Sequence, residues 1–213
     1  MTPFGVGHQA ELDHVLIAVA DLAIAAGELD ERHGLSSVEG GRHPGWGTAN
    51  RIVPLGDTYL ELVAVVDRAE AERAQFGRLV GSAVTASPTP FAWCVRTDDL
   101  DATAARLGLA VQAGSRERPD GAVVRWRIAG LEQAAAEPYL PFFIEWDDES
   151  PFPGRSPAGH SSDVRFARLE LRGDADRLTD WLEGASLPIA VEPGAARIAG
   201  IFVEVGGREV AVA

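Results

Sequence analysis

Residues 12–22 run a short apolar strand straight into a helix start, and the pattern returns twice, which constrains the fold more than any other feature of the chain. One alternate face of the strand carries Leu12, His14, Leu16 and Ala18, and the other carries Asp13, Val15, Ile17 and Val19. Both faces are largely apolar, so the strand is expected to be covered on both sides. Asp21 follows as a natural N-cap, because its carboxylate can accept from the free amides of a first helical turn. Residues 91–100 repeat the pattern, and residues 165–174 repeat it more weakly.

Read in order from that anchor, the chain divides into units. After the strand, residues 21–32 are alanine-rich and read as a helix stopped at Gly34. Strands at 36–39, 48–55 and 59–66 follow, with a glycine-rich loop at 40–47 and a turn at Gly56-Asp57. This βαβββ unit occupies residues 1–66. A connecting helix (68–80) and a Pro-broken linker fill residues 67–90. A second βαβββ unit runs over 91–163, with strands at 91–96, 109–113, 122–129 and 141–146, a polar loop at 114–121 and a long Pro/Gly/Ser loop at its end. A third occupies 164–213, with a helix at 174–184 and a Gly206-Gly207 hairpin signal. It carries Ala167 and Ala211 where the first unit has His14 and Glu61, so it is expected to be structural and to pack on the other two. The fold class is α+β.

Composition removes several functions. The chain has 213 residues and a net charge of −13, which argues against nucleic acid and anionic membrane surfaces as partners. All 19 basic residues are arginine, so Schiff-base chemistry and a catalytic lysine are excluded. No apolar run is long enough to cross a bilayer, and residues 1–10 do not read as a signal peptide. The single cysteine, Cys94, lies within an apolar strand and reads as a buried structural thiol; with no disulfide to form, the chain fits a cytoplasmic location.

The segments Leu12-Asp13-His14-Val15 with Asp21-Leu22, and residues 47–51 with Tyr59-Leu60-Glu61-Leu62, resemble the vicinal oxygen chelate superfamily, most closely its glyoxalase-like branch. Residues 141–146 add to the likeness. The resemblance implies repeated βαβββ units that pair into a cupped open barrel of mixed sheets, here with a third related unit. It also implies a divalent metal on the barrel floor, chelated by a small oxygenated substrate. Carried over by position, His14, Glu61 and Glu145 match ligand positions, and Ala92 occupies the fourth. Three such ligands suit Zn²⁺, Mn²⁺ or Fe²⁺ with open sites.

Each site residue also has a plainer reading. His14 is either a ligand or a core histidine satisfied by a carboxylate such as Glu61. Glu61 and Glu145 are carboxylates in apolar strands, where a charge without a partner is costly. Their recurrence in two units favours a shared cavity in which either shuttles a proton. His43 and Trp46 belong to a loop that is either a long hairpin or a cover over that cavity. Asn50 offers an amide to a substrate oxygen or satisfies backbone. Trp93 is a stacking platform or core. Arg125 and Arg127 face a carboxylate substrate or solvent. His160 is expected in solvent. Two functions remain open: a metal-dependent lyase, isomerase or dioxygenase, and a metal-free small-molecule binding protein. A homodimer is compatible with both.

Overall fold

Asp21 starts the first helix as its position implies, accepting from the amides of Ala23 and Ile24. Asp99 and Asp174 cap helices after the corresponding strands of the next two units, accepting from Ala102 and Arg177. Each such cap contributes about 1 kcal/mol, so the strand-to-helix signal has the same physical origin all three times. The computed structural model describes residues 10–147, 150, 152–155 and 163–213; the N-terminal segment 1–9 and His160 lie outside them.

The first unit comprises β1 (Glu11–Ala18), α1 (Leu22–His33), β2 (Val38–His43), β3 (Thr48–Pro54) and β4 (Tyr59–Val65). Two short helices connect it to the second, α2 (Arg68–Ala71) and α3 (Gln75–Ala83). The second unit comprises β5 (Thr89–Arg96), α4 (Leu100–Leu107), β6 (Val111–Glu117), β7 (Val123–Ala129), α5 (Leu131–Ala136) and β8 (Phe142–Trp146). The third comprises β9 (Val164–Arg172), α6 (Ala175–Trp181), β10 (Ile189–Glu192), β11 (Arg197–Val205) and β12 (Arg208–Ala211).

Eight strands of the first two units form one barrel in the order β1-β4-β3-β2-β6-β7-β8-β5. Each unit contributes its strands in the sequence first, fourth, third, second, with the first strand parallel to the fourth. Strands β1 and β5 pair antiparallel along one side. On the other side the barrel closes by the single pair Arg42↔Glu117 between β2 and β6. The fold is therefore the expected α+β barrel, deeply joined on one side and thinly joined on the other.

The third unit keeps the βαβββ order along the chain but pairs differently. Its sheet has the order β10-β9-β11-β12, with β9 parallel to β10 rather than to the last strand. Ala167 and Ala211 therefore do not stand in the relation that joins His14 and Glu61. As expected, this sheet packs on the other units: Leu169, Leu171, Trp181 and Ile201 share one core with Trp93, Val95 and Phe143 from the outer face of the barrel.

Strand alternation separates this outer core from the interior. On β1, Val15 and Ile17 join the outer core while Leu16 and Ala18 face inward. On β5, Trp93 and Val95 point out while Ala92 and Cys94 point in.

Three local readings change. Strand β2 continues through Gly40 and Gly41 to His43, so the tip of the hairpin is only residues 44–47. Strand β6 takes in Gly114, Ser115 and Arg116, which read as loop because they are polar. The expected connecting helix breaks at residues 72–74.

Gly41 controls the thin seam. It has φ +136°, and a Cβ there would lie 1.9 Å from the carbonyl oxygen of Glu117. Only glycine permits both the backbone conformation and the approach of β6. Gly41→Ala should destabilise the fold by about 2–4 kcal/mol, read as a lower urea midpoint. An unchanged midpoint would show that the seam does not need this approach.

Candidate active site

The interior face of β1 and β4 brings His14 and Glu61 together at the wall of a small chamber inside the barrel. The chamber has about 30 Å³ of free volume, on the order of one or two waters, and its wall includes Asn50, Arg116, Phe142 and Ile144. His14 is 3% exposed and Glu61 6%.

A bulge in β1 sets the histidine. The β1–β5 register passes from Leu12↔Val95 to His14↔Cys94, leaving Asp13 as the extra residue. A bulge re-aims side chains, and here the Asp13 carboxylate accepts from His14 Nδ1 at 2.6 Å. Its other oxygen accepts from Trp146 Nε1 at 2.8 Å and from Arg96 at 3.2 Å. Asp13 is fully buried, and these three donors offset its desolvation. Tyr59 stacks on the imidazole at 4.7 Å between ring centroids, and Phe142 meets it edge-on at 5.8 Å.

With Nδ1–H committed to Asp13, the His14 Nε2 faces the chamber. It lies 3.4 Å from Glu61 Oε2. The other glutamate oxygen accepts from Asn50 Nδ2 at 2.7 Å. A bare imidazole nitrogen and a carboxylate oxygen are both acceptors, so one proton held between them satisfies both. His43 completes this side. Its Nδ1 bonds to Thr48 Oγ1 at 2.8 Å and its Nε2 lies 3.8 Å from Glu61. Burial lowers the His43 pKa from 6.5 to about 4, although the Glu61 charge acts the other way; Arg116 and His14 lower it further. His43 is thus neutral at pH 7.

Trp46, Trp126 and Trp146 line both this chamber and an outer basin of about 610 Å³, so they form the partition between them. Gly114 makes room for two of the rings: a Cβ there would lie 2.3 Å from Trp126 and 2.9 Å from Trp46. The hairpin bearing Trp46 therefore stands at the chamber mouth.

The structure brings His14, Glu61, His43, Asn50 and Trp46 to one cavity wall. Glu145 does not join them. It faces the barrel exterior, where it pairs with Arg127 at 2.8 Å and accepts from the Leu100 amide at the start of α4. Register gives the reason. Glu61 lies opposite Leu16 on β1, and the equivalent place on β5, Cys94, lies opposite Phe142. Phe142 and Ile144 thus point inward and Glu145 points out. Trp93 belongs to the outer core, its Nε1 donating to the Tyr139 carbonyl. Arg125 is exposed and borders the outer basin, and Arg127 is bound to Asp101 and Glu145. Cys94 is buried, and burial pushes its thiol well above the usual range.

The donor set does not fit the metal centre that the resemblance implies. Ala92 and Phe142 occupy two of the four positions, leaving His14 and Glu61. Among the described residues no group of three or more His, Cys, Asp or Glu side chains is arranged to hold a metal ion. A buried arginine, Arg116, lines the same small chamber and further disfavours a cation. Asp13 and Arg116 are the two residues that the linear sequence did not single out.

A family model described as Glyoxalase-like domain matches residues 12–186. A search of curated proteins returns no match. Among solved structures, a hypothetical protein from Staphylococcus aureus superposes with a TM-score of 0.64 at 14% identity, covering 94% of this chain and 97% of that one. Methylmalonyl-CoA epimerase from Mycobacterium tuberculosis gives 0.45 at 22% identity, covering 64% and 86%. Streptomyces coelicolor methylmalonyl-CoA epimerase in complex with 2-nitronate-propionyl-CoA gives 0.47 at 17% identity, covering 66% and 97%.

His43 predicts an acid dependence. The unfolded chain takes up this proton near pH 6.5, whereas the folded protein resists it until about pH 4. The associated stability is complete above about pH 7 and is lost as pH falls through that window, by at most about 3 kcal/mol. His43→Gln removes this contribution. The stability gap between parent and variant should therefore shrink between pH 7 and pH 4 in urea titrations, and parallel pH profiles would contradict it.

Proposed function

Because this chain belongs to the glyoxalase-like domain family of the vicinal oxygen chelate superfamily, we propose that it acts on a small oxygenated substrate held in the barrel chamber, moving a proton between carbon or oxygen and the His14–Glu61 pair. The observation that carries this reading is the opposition of His14 Nε2 and Glu61 Oε2 at 3.4 Å with both side chains buried. Such a pair can hold one exchangeable proton and pass it to a bound ligand, and positioned general acids and bases contribute about 10²–10⁴-fold to a rate.

Glu61 is the proton carrier. Asn50 fixes one of its oxygens and leaves the other free to reach a substrate C–H or O–H. His14 is the partner that takes or returns the proton, and Asp13 holds its ring and stabilises the imidazolium that forms when it does. Low local polarity strengthens each of these interactions. The chemistry that follows is isomerisation or elimination through an enolate-like species; dioxygenase chemistry has no support from these residues.

A second reading rests on a different observation. Ala92 and Phe142 make half of the inner wall apolar where a metal shell would need donors, which suits a protein that binds a small molecule without turning it over.

Solvent exchange separates the two. Small 2-oxo and 2-hydroxy acids incubated in D₂O with the protein should show deuterium entering one C–H position by proton NMR. Glu61→Gln keeps an acceptor for the Asn50 amide but cannot take the proton, and should slow exchange by about 10²–10⁴-fold. Exchange at the parental rate in Glu61→Gln would reject the proton-transfer reading. Saturable binding without any exchange in the parent would favour the binding-protein reading.

A further inference from the structure

The chamber contains a charge that the acid–base pair does not use. Arg116 projects from β6 into the barrel interior and is only 6% exposed. Its Nε is buried with no hydrogen-bond partner. Among the described residues the guanidinium makes neither a hydrogen bond nor an ion pair within 4 Å, although the Glu61 charge acts on it at longer range. Other partly buried arginines carry an ion pair: Arg96 is bound to Asp13 and Glu11, Arg127 to Asp101 and Glu145, and Arg172 to Glu192.

Removing a guanidinium from water without a partner costs several kcal/mol, and such a cost persists where a ligand or function requires it. Neutralising Glu61 does not account for it. The direct partner of Glu61 is the neutral Asn50 amide, and the arginine stays beyond ion-pair distance. The backbone is shaped to keep the guanidinium there. A Cβ at Gly40 would lie 3.1 Å from Arg116 Nη1 and 2.0 Å from Asn50 Oδ1, itself a buried acceptor without a donor.

We propose that Arg116 makes the inner chamber a receptor for the carboxylate of a small organic acid. This deepens the reading of the same chamber as a substrate site by naming the substrate class. The planar fork of the guanidinium matches a carboxylate in two parallel hydrogen bonds. A chamber of about 30 Å³ suits a flat carboxylate head better than a tetrahedral phosphate. The unpaired Asn50 oxygen offers an acceptor to a hydroxyl next to that carboxylate, so 2-hydroxy acids fit better than unsubstituted ones. The rest of the acid would extend past the tryptophan partition into the outer basin.

The test uses tryptophan fluorescence of the whole protein at constant ionic strength, since three tryptophans border the chamber. The probes are acetate and glycolate, their amides acetamide and glycolamide, and inorganic phosphate. The parent should bind the two acids saturably below about 50 mM, with glycolate ahead and each amide weaker by about tenfold or more. Arg116→Gln should lose about tenfold or more in acid affinity. Arg116→Lys keeps the charge but not the fork, and should fall between them, which guards against a variant that merely misfolds. Glu61→Gln removes the proton carrier and a nearby negative charge, and should bind the acids at least as tightly as the parent. Saturable acid binding by the parent with no solvent exchange in the parent would leave this inference standing and reject the proton-transfer reading. Amides that bind as well as acids, phosphate that binds more tightly than acetate, no saturable acid binding, or an unchanged Arg116→Gln would each overturn it.

Discussion

The buried carboxylate of Asp13 is the interaction on which the chamber depends. It belongs to the bulge in β1, and it gathers donors from three strands: His14 on β1, Arg96 on β5 and Trp146 on β8. Strands β1 and β5 form the longer seam between the two halves of the barrel, and β8 lies beside β5. One group therefore ties the seam between units to the tautomer of the histidine at the chamber wall. A fully buried carboxylate is tolerable only while all of its donors are present, so loss of any one is felt at the other two. The same bond directs His14 Nε2 towards Glu61, and Asn50 directs Glu61 back towards it.

Much of this was legible in the linear sequence because it is local. The aspartates that start α1, α4 and α6 follow each leading strand directly, and the alternation of β1 placed His14, Leu16 and Ala18 on one face. His14 and Glu61 share a chamber because β1 and β4 pair in parallel; the family resemblance had matched both residues to one centre. What failed was long-range register. Glu145 and Glu61 occupy similar places when strands are counted along the chain, but alternation has a period of two, and an offset of one residue sends a side chain to the opposite face. Phe142, not Glu145, therefore stands inside. Trp93 and Arg125 point away from the chamber by the same parity. Asp13 was read on one face with Val15 and Ile17 because nothing in a single strand reveals a bulge that exists only in its pairing. Arg116 escaped notice because its polar neighbours read as a loop, whereas the approach of β2 at Gly40 and Gly41 makes that segment a barrel strand. The third unit kept its order along the chain but not its pairing, which sequence order alone does not specify.

The chamber that results differs from the centre that the resemblance implied. Where four donors would surround a cation, two walls are apolar, one carboxylate is fixed by an amide, and an arginine supplies positive charge from the protein itself. Electrostatic stabilisation of an oxyanion by a guanidinium and by a held histidine can replace part of what a metal would do.

A metal titration tests this account most directly. Zn²⁺, Mn²⁺ and Fe²⁺ are added to the parent and to His14→Ala, unbound ions are removed by gel filtration, and the retained metal is measured by elemental analysis. The account predicts little retained metal and no difference between the two proteins. One ion retained per parent chain and lost in His14→Ala would contradict it.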